Sequence, residues 1–132
     1  MYPADADVIR VLRCVGTPVL AANEHNLHVL WALTALIAPY FALLEEVCGW
    51  AVAAGVESPT ARTYLTSMFH ALSVVAMEDG GVGFGELRAE ATTPSGLNEQ
   101  ALREIRDLGG HQSFLSALDS VLVRLGENAP RR

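Results

Sequence analysis

The chain has 132 residues, 51% hydrophobic and 18% charged, with a formal charge of −6, which fits one compact domain and argues against disorder. Every basic residue is an arginine, so a Schiff-base lysine, a pyridoxal-phosphate anchor and a Walker-type phosphate lysine are excluded. An acidic balance with no basic run longer than Arg131-Arg132 argues against nucleic acid or an anionic membrane surface as a partner.

Asp5 and Asp7 can cap a first turn, and Val8, Ile9, Val11, Leu12 and Val15 then recur at helical spacing, which predicts a short amphipathic helix over 5–15 stopped by Gly16. Thr17 to Leu20 reads as an extended piece. A long helix is predicted from Asn23-Glu24 to about Ala54, with Gly55 as its C-cap. From Val29 to Leu44 only Thr34 is polar, short of the roughly 20 apolar residues of a bilayer crossing, and Glu45 and Glu46 interrupt the run. A buried soluble helix is the expectation, with an integral membrane protein as a third class to be excluded by its need for detergent.

Such a helix would be about 45 Å long, whereas a globule of this size is only about 35 Å across. It is also apolar on nearly every face, and such a helix must be covered on all sides. The inference is an obligate homodimer or higher homo-oligomer, in which the long central helix of one subunit is wrapped by helices of another across about 2,000 to 5,000 Å².

Ser58-Pro59 predicts the next helix start, with Ser58 as N-cap, and Ala61, Leu65, Met68, Phe69, Leu72, Val75 and Ala76 continue its apolar face. The glycine-rich run from Gly80 to Gly85 ends it. A short helix over 86–90 follows, then the turn Thr92-Thr93-Pro94-Ser95-Gly96, then a helix over 97–108. After Gly109-Gly110 the last helix, about 112–125, is expected to bury Phe114, Leu115, Leu118, Val121, Leu122 and Leu125, with a frayed tail from Gly126. No alternating strand pattern occurs, so the fold class is all-α, an interlocked helical bundle.

Few residues suggest chemistry. The glycine run lacks the strand before it, the helix straight after it and the spacing of a dinucleotide fingerprint, and reads as a connector. Glu24, His25 and His28 do not match a zinc pattern and read as a polar first turn, so no metal is expected. His70 is expected in a core or interface, and His111 begins a helix. Cys14 and Cys48 read as reduced thiols of a cytoplasmic protein, and the N-terminus has no secretion signal. No catalytic triad can be assembled. The segment from Thr92 to Asn98 differs: hydroxyls, a proline and a glycine stand directly before a helix whose first N–H groups have no internal partner, which is a setting for a carboxylate or phosphate as well as for an ordinary cap.

Taken together, the long apolar helix with Ala38-Pro39, the Thr92-Thr93-Pro94-Ser95-Gly96-Leu97 turn and the closing helix resemble the C-terminal dimerisation domain of the pyrroline-5-carboxylate reductase family, over about residues 16–125. In that family a Thr-Ser-Pro-Gly-Gly-Thr-Thr turn precedes a helix. The resemblance implies an oxidoreductase whose nucleotide-binding half holds NAD(P)H and whose helical half helps hold a cyclic imine carboxylate. It implies a substrate side made by Thr93 and by the N–H groups of Ser95, Gly96, Leu97 and Asn98, with Asn98 replacing a family hydroxyl. Hydride comes from the nicotinamide, so this half contributes orientation and electrostatics. Ser95 stands where the family has glycine, Leu97 and Asn98 where it has threonines, and Ala35 to Ala38 where it has Ser-Gly-Ser-Gly, which points to a relative acting on a related substrate. Residues 1–22 read as the end of a nucleotide-binding domain or a linker, and 23–132 as the helical domain. With no dinucleotide fingerprint and no cofactor of its own, the chain is expected to be catalytically incomplete alone; the alternative is a stand-alone helical dimerisation module without catalysis.

Overall fold

The computed structural model describes residues 2–78 and 81–127. Among them all regular structure is helical: α1 (Ala6–Leu12), α2 (Glu24–Ala32), a 3-10 turn (Leu33–Leu36), α3 (Ile37–Ala53), α4 (Ser58–Glu78), α5 (Phe84–Glu90), α6 (Leu97–Asp107) and α7 (Gly110–Glu127). The chain divides into two compact units, one of the residues up to Ile37 with those from Gln112, the other Ala38–His111.

The first unit begins with a capped turn. Asp5 is extended, and its carboxylate accepts the N–H groups of Asp7 and Val8 at 2.9 and 3.0 Å. Helix α1 closes at Leu12, short of the expected residue 15, and its apolar face is covered only at Ile9, which is half-buried. Asn23 caps α2 by accepting the Asn26 N–H at 2.8 Å, which satisfies one of the orphan donors of the first turn.

The long helix runs from Glu24 to Ala53, with a tightening at Leu33–Leu36 that the apolar periodicity does not foretell. Pro39 is the cause: it has no N–H to offer the Ala35 carbonyl and its ring crowds that oxygen, so the backbone upstream winds tighter. The Thr34 hydroxyl adds a bond to the Trp31 carbonyl at 2.7 Å. Pro39 thereby falls in the first turn of α3, where a missing N–H costs little.

Helix α7 opens at Gly110 and still includes Gly126, so the expected fraying point lies within it. Its face is less covered than the sequence suggests: Leu118, Val121, Leu122 and Leu125 are half-buried, and Phe114 and Leu115 are exposed. Asn128 to Arg132 lie outside the described residues.

The second unit is built on α3 and α4, which run antiparallel. Tyr40 at the start of α3 meets Phe69 late in α4 edge-on, with ring centroids 6.1 Å apart, while Val52 and Ser58 line one cleft at the other end. The facing stripe consists of Leu44, Cys48 and Ala51 from α3, half-buried, and Ala61 and Leu65 from α4, buried. Helix α3 ends in a Schellman motif: Gly55, at φ +99°, donates to the Val52 carbonyl at 2.9 Å and Val56 to the Ala51 carbonyl at 3.1 Å. Ala61 N–H bonds the Glu57 carbonyl, so Glu57 holds the cap position; Ser58 is the first helical residue and Pro59 the second, one place later than expected. His70 is exposed in the single chain, which removes the core half of the expectation and leaves the interface half open. Gly83 caps α5, which opens at Phe84 rather than Glu86; of the glycine run, Gly80 lies outside the described residues.

Among the described residues the buried side chains are Ala21, Ala32, Ala61 and Leu65. A buried leucine contributes roughly 2 kcal/mol, so this set is far from the core that a domain of this length needs to stand alone.

Candidate functional site

The turn ahead of α6 is assembled from short-range hydrogen bonds. Helix α5 ends at Glu90, and the Thr92 hydroxyl donates to the Arg88 carbonyl at 2.6 Å. The Gly96 N–H donates to the Thr93 carbonyl at 2.9 Å, closing Thr93-Pro94-Ser95-Gly96 with proline second and a left-handed residue third, the arrangement of a type II turn. That left-handed residue is Ser95, at φ 60°. Gly96 is required for space: a Cβ there would meet the Thr93 hydroxyl and stand 3.0 Å from the Thr93 carbonyl oxygen. Gly96 then caps α6 with no side-chain contribution.

Thr93, Ser95, Leu97 and Asn98 are exposed around a half-buried Gly96, so the five residues singled out in the sequence share one surface turn. Their polar groups are not equally open. The Ser95 N–H donates to Glu99 Oε2 at 2.7 Å, and the Gly96 N–H is engaged by Thr93. The Asn98 amide donates through Nδ2 to the Ala91 carbonyl at 2.9 Å, tying the start of α6 to the end of α5. The N–H groups of Leu97, Asn98 and Glu99 precede the first internal bond of α6, from Gln100 N–H to the Gly96 carbonyl, and point outward with the positive end of the helix. The Leu97 side chain, 85% exposed, stands beside them. Glu99 is the residue that sequence reasoning passed over; a glutamate three positions after a capping glycine was its signal.

The α3–α4 pair presents two half-open clefts. One, of about 580 Å³, is lined by Phe41, Cys48 and Leu65 with Glu45, Ser58 and Arg62 at its polar side. The other, of about 430 Å³, is almost wholly apolar, with Val47, Trp50, Tyr64 and Met68 among its walls. Trp50 and Tyr64 are 73% and 74% exposed. Exposed apolar surface is the kind used for protein–protein contact. Among the described residues no three His, Cys, Asp or Glu side chains come together to hold a metal ion; Glu24 and His25 are exposed on the first turn of α2 and His28 is half-buried.

An all-helical domain with an uncovered long apolar helix and a glycine-capped turn ahead of a later helix is the class that fold and site define. The chain belongs to the pyrroline-5-carboxylate reductase dimerisation family, which it matches over residues 24–127. It is also similar in structure to a pyrroline-5-carboxylate reductase from Coxiella burnetii, with a TM-score of 0.77 and 22% identity, over 96% of this chain and 48% of that one. The likeness is therefore one of fold, and the chain spans about half the length of that protein. No curated protein matches it in sequence.

Proposed function

We propose that the chain is the dimerisation and substrate-side half of a reductase-like NAD(P)H-dependent oxidoreductase that acts on a cyclic imine carboxylate or a close relative of one. In this reading the nicotinamide cofactor sits in a nucleotide-binding domain, of which residues 1–22 are the end, and the hydride comes from that half. The present chain supplies two things: an apolar surface on α3 and α4 that a second copy covers in a cytoplasmic homodimer, and the turn from Thr93 to Asn98, whose Leu97 and Asn98 N–H groups receive the substrate carboxylate. The observation that carries the proposal is the exposed apolar face of α3 and α4 in a chain whose family is defined by dimerisation. The same long helix, Glu24–Ala53, is long and apolar enough to cross a membrane; the pair Glu45-Glu46 within it and the absence of Lys or Arg flanks favour a protein partner over lipid.

The second reading, a helical module that dimerises without catalysis, draws support from Ser95 and Gly96, whose N–H groups are already bonded within the turn. Sedimentation equilibrium at micromolar concentration without detergent is expected to give a dimer or higher state, and a monodisperse monomer would sink both readings. Calorimetric titration with NADPH is expected to give no specific heat for this chain alone, and micromolar binding would place a cofactor site where the proposal has none.

A further inference from the structure

Charge is scarce on the two helices whose apolar face a second copy covers. Between Glu24 and Glu57 the only Asp, Glu, Lys or Arg residues are Glu45 and Glu46, and Arg62 is the only arginine between Arg13 and Arg88. Of these, Glu45 on α3 and Arg62 on α4 both line the cleft of about 580 Å³ that also exposes Phe41 and reaches the buried Leu65. Both charged residues are exposed. Among the described residues, neither side chain makes a hydrogen bond or an ion pair within the chain.

That arrangement costs little while water solvates both groups. Once a second copy lies over α3 and α4 the water is displaced, and a carboxylate or guanidinium left there without a partner becomes costly. A two-fold axis supplies the partner. Copies related in this way meet through the same surface, so that a residue touching a second residue of the other copy is matched by the reciprocal contact. A surface carrying one carboxylate and one guanidinium is complementary to its own copy under that operation, whereas Glu45 against Glu45 or Arg62 against Arg62 would set like charges together.

We propose that Glu45 of each copy pairs with Arg62 of the other, so that a second copy of this chain occupies the cleft and two ion pairs fix the register of the dimer. Apolar contact is non-directional, so the walls of the cleft supply buried area and the two pairs select which alignment of those walls is allowed. The inference rests on the homodimer reading of the α3–α4 face.

The test uses the full chain at micromolar concentration, with sedimentation equilibrium on Glu45→Arg and Arg62→Glu, each alone and then mixed. Either variant alone sets like charges together at both pairs, and its self-association is expected to fall by about tenfold or more. In an equimolar mixture the new guanidinium at position 45 of one chain meets the new carboxylate at position 62 of the other, while the untouched Arg62 and Glu45 form the second pair. The mixture is therefore expected to give a heterodimer about as tight as the wild-type dimer. A pair closed inside each chain gives the opposite result: the mixture stays as weak as its components, and only a chain carrying both reversals recovers. That outcome, or unchanged association of either single variant, would overturn the proposal. A monomeric wild type would sink the homodimer reading and this inference with it, whereas a wild-type dimer whose variants gain nothing from mixing would sink the pairing alone. Both positions are exposed in the single chain, so folding is expected to survive the reversals. Should one of them not fold, Glu45→Gln and Arg62→Gln serve instead; their effects on association are expected to overlap, and losses that simply add would overturn the pairing.

Discussion

The α3–α4 pair leaves large apolar side chains uncovered, whereas the turn from Ala91 to Glu99 is held together by hydrogen bonds between its own near neighbours. In the pair, Leu44, Cys48, Ala61 and Leu65 are half-buried or buried between the two helices, while Trp50 and Tyr64 are about three-quarters exposed. In the turn, four hydrogen bonds made by Thr92, Ser95, Gly96 and Asn98 reach no further than seven residues along the chain. The difference follows from the two kinds of force. Hydrophobic stabilisation scales with area removed from water, which two helices alone cannot supply, but a hydrogen bond needs one well-placed partner. Assembly and site geometry in this chain therefore have separate physical origins, and substitutions can move one without the other.

The largest effect is expected at the apolar cleft. Trp50→Glu together with Tyr64→Glu touches side chains that are mostly in water in the single chain, so the subunit's own helices lose little. At an interface between copies the same changes bury unpaired charge and cost about 3 kcal/mol or more. Sedimentation equilibrium is expected to show association weakened by a hundredfold or more. Unchanged association would mean that the copies meet elsewhere and would break the contrast with the turn.

A smaller effect of opposite character is expected at Gly96. Gly96→Val presses a Cβ against the Thr93 hydroxyl and carbonyl, and overpacking of this kind costs about 2 kcal/mol. The amide resonances of Ser95 to Asn98 are expected to move and any response to proline to vanish, while the oligomeric state and the α3–α4 resonances stay as they were. Loss of the dimer in this variant would show that turn and interface are coupled.

The sequence foretold these two regions unequally. Several helix boundaries were readable because their determinants are local: Asp5 and Asn23 as capping side chains, Gly55 and Gly109 at left-handed positions, and Pro94 with Gly96 ahead of α6. The tightening at Leu33–Leu36 was not readable from apolar spacing, because its cause, Pro39, acts on a carbonyl four residues upstream. Periodicity named the apolar faces of α4 and α7 but not what covers them: Met68, Leu72, Phe114 and Leu115 lie on such faces and are exposed in the single chain. At the turn the residues were evident and their bonds were not. That Ser95 and Gly96 already spend their N–H groups depends on a left-handed serine and a returning glutamate, both set by three-dimensional geometry.

The smallest effect sharpens the comparison through its two left-handed residues. Gly55 stands at φ +99° with nothing within 4 Å of the place its Cβ would take, so Gly55→Ala tests backbone conformation alone. Alanine in this region costs about 1 kcal/mol through contact of its Cβ with the carbonyl oxygen. The Schellman bonds of Gly55 and Val56 would strain or open, and the end of α3 would loosen next to Trp50. At fixed protein concentration, which matters because association itself raises the melting point, thermal unfolding is expected to fall by a few degrees. Ser95 is left-handed with a side chain in place, in a turn closed by the bond from the Gly96 N–H to the Thr93 carbonyl and by that from the Ser95 N–H to Glu99 Oε2. A Gly55→Ala protein as stable as the wild type would mean that the end of α3 absorbs a left-handed side chain without strain.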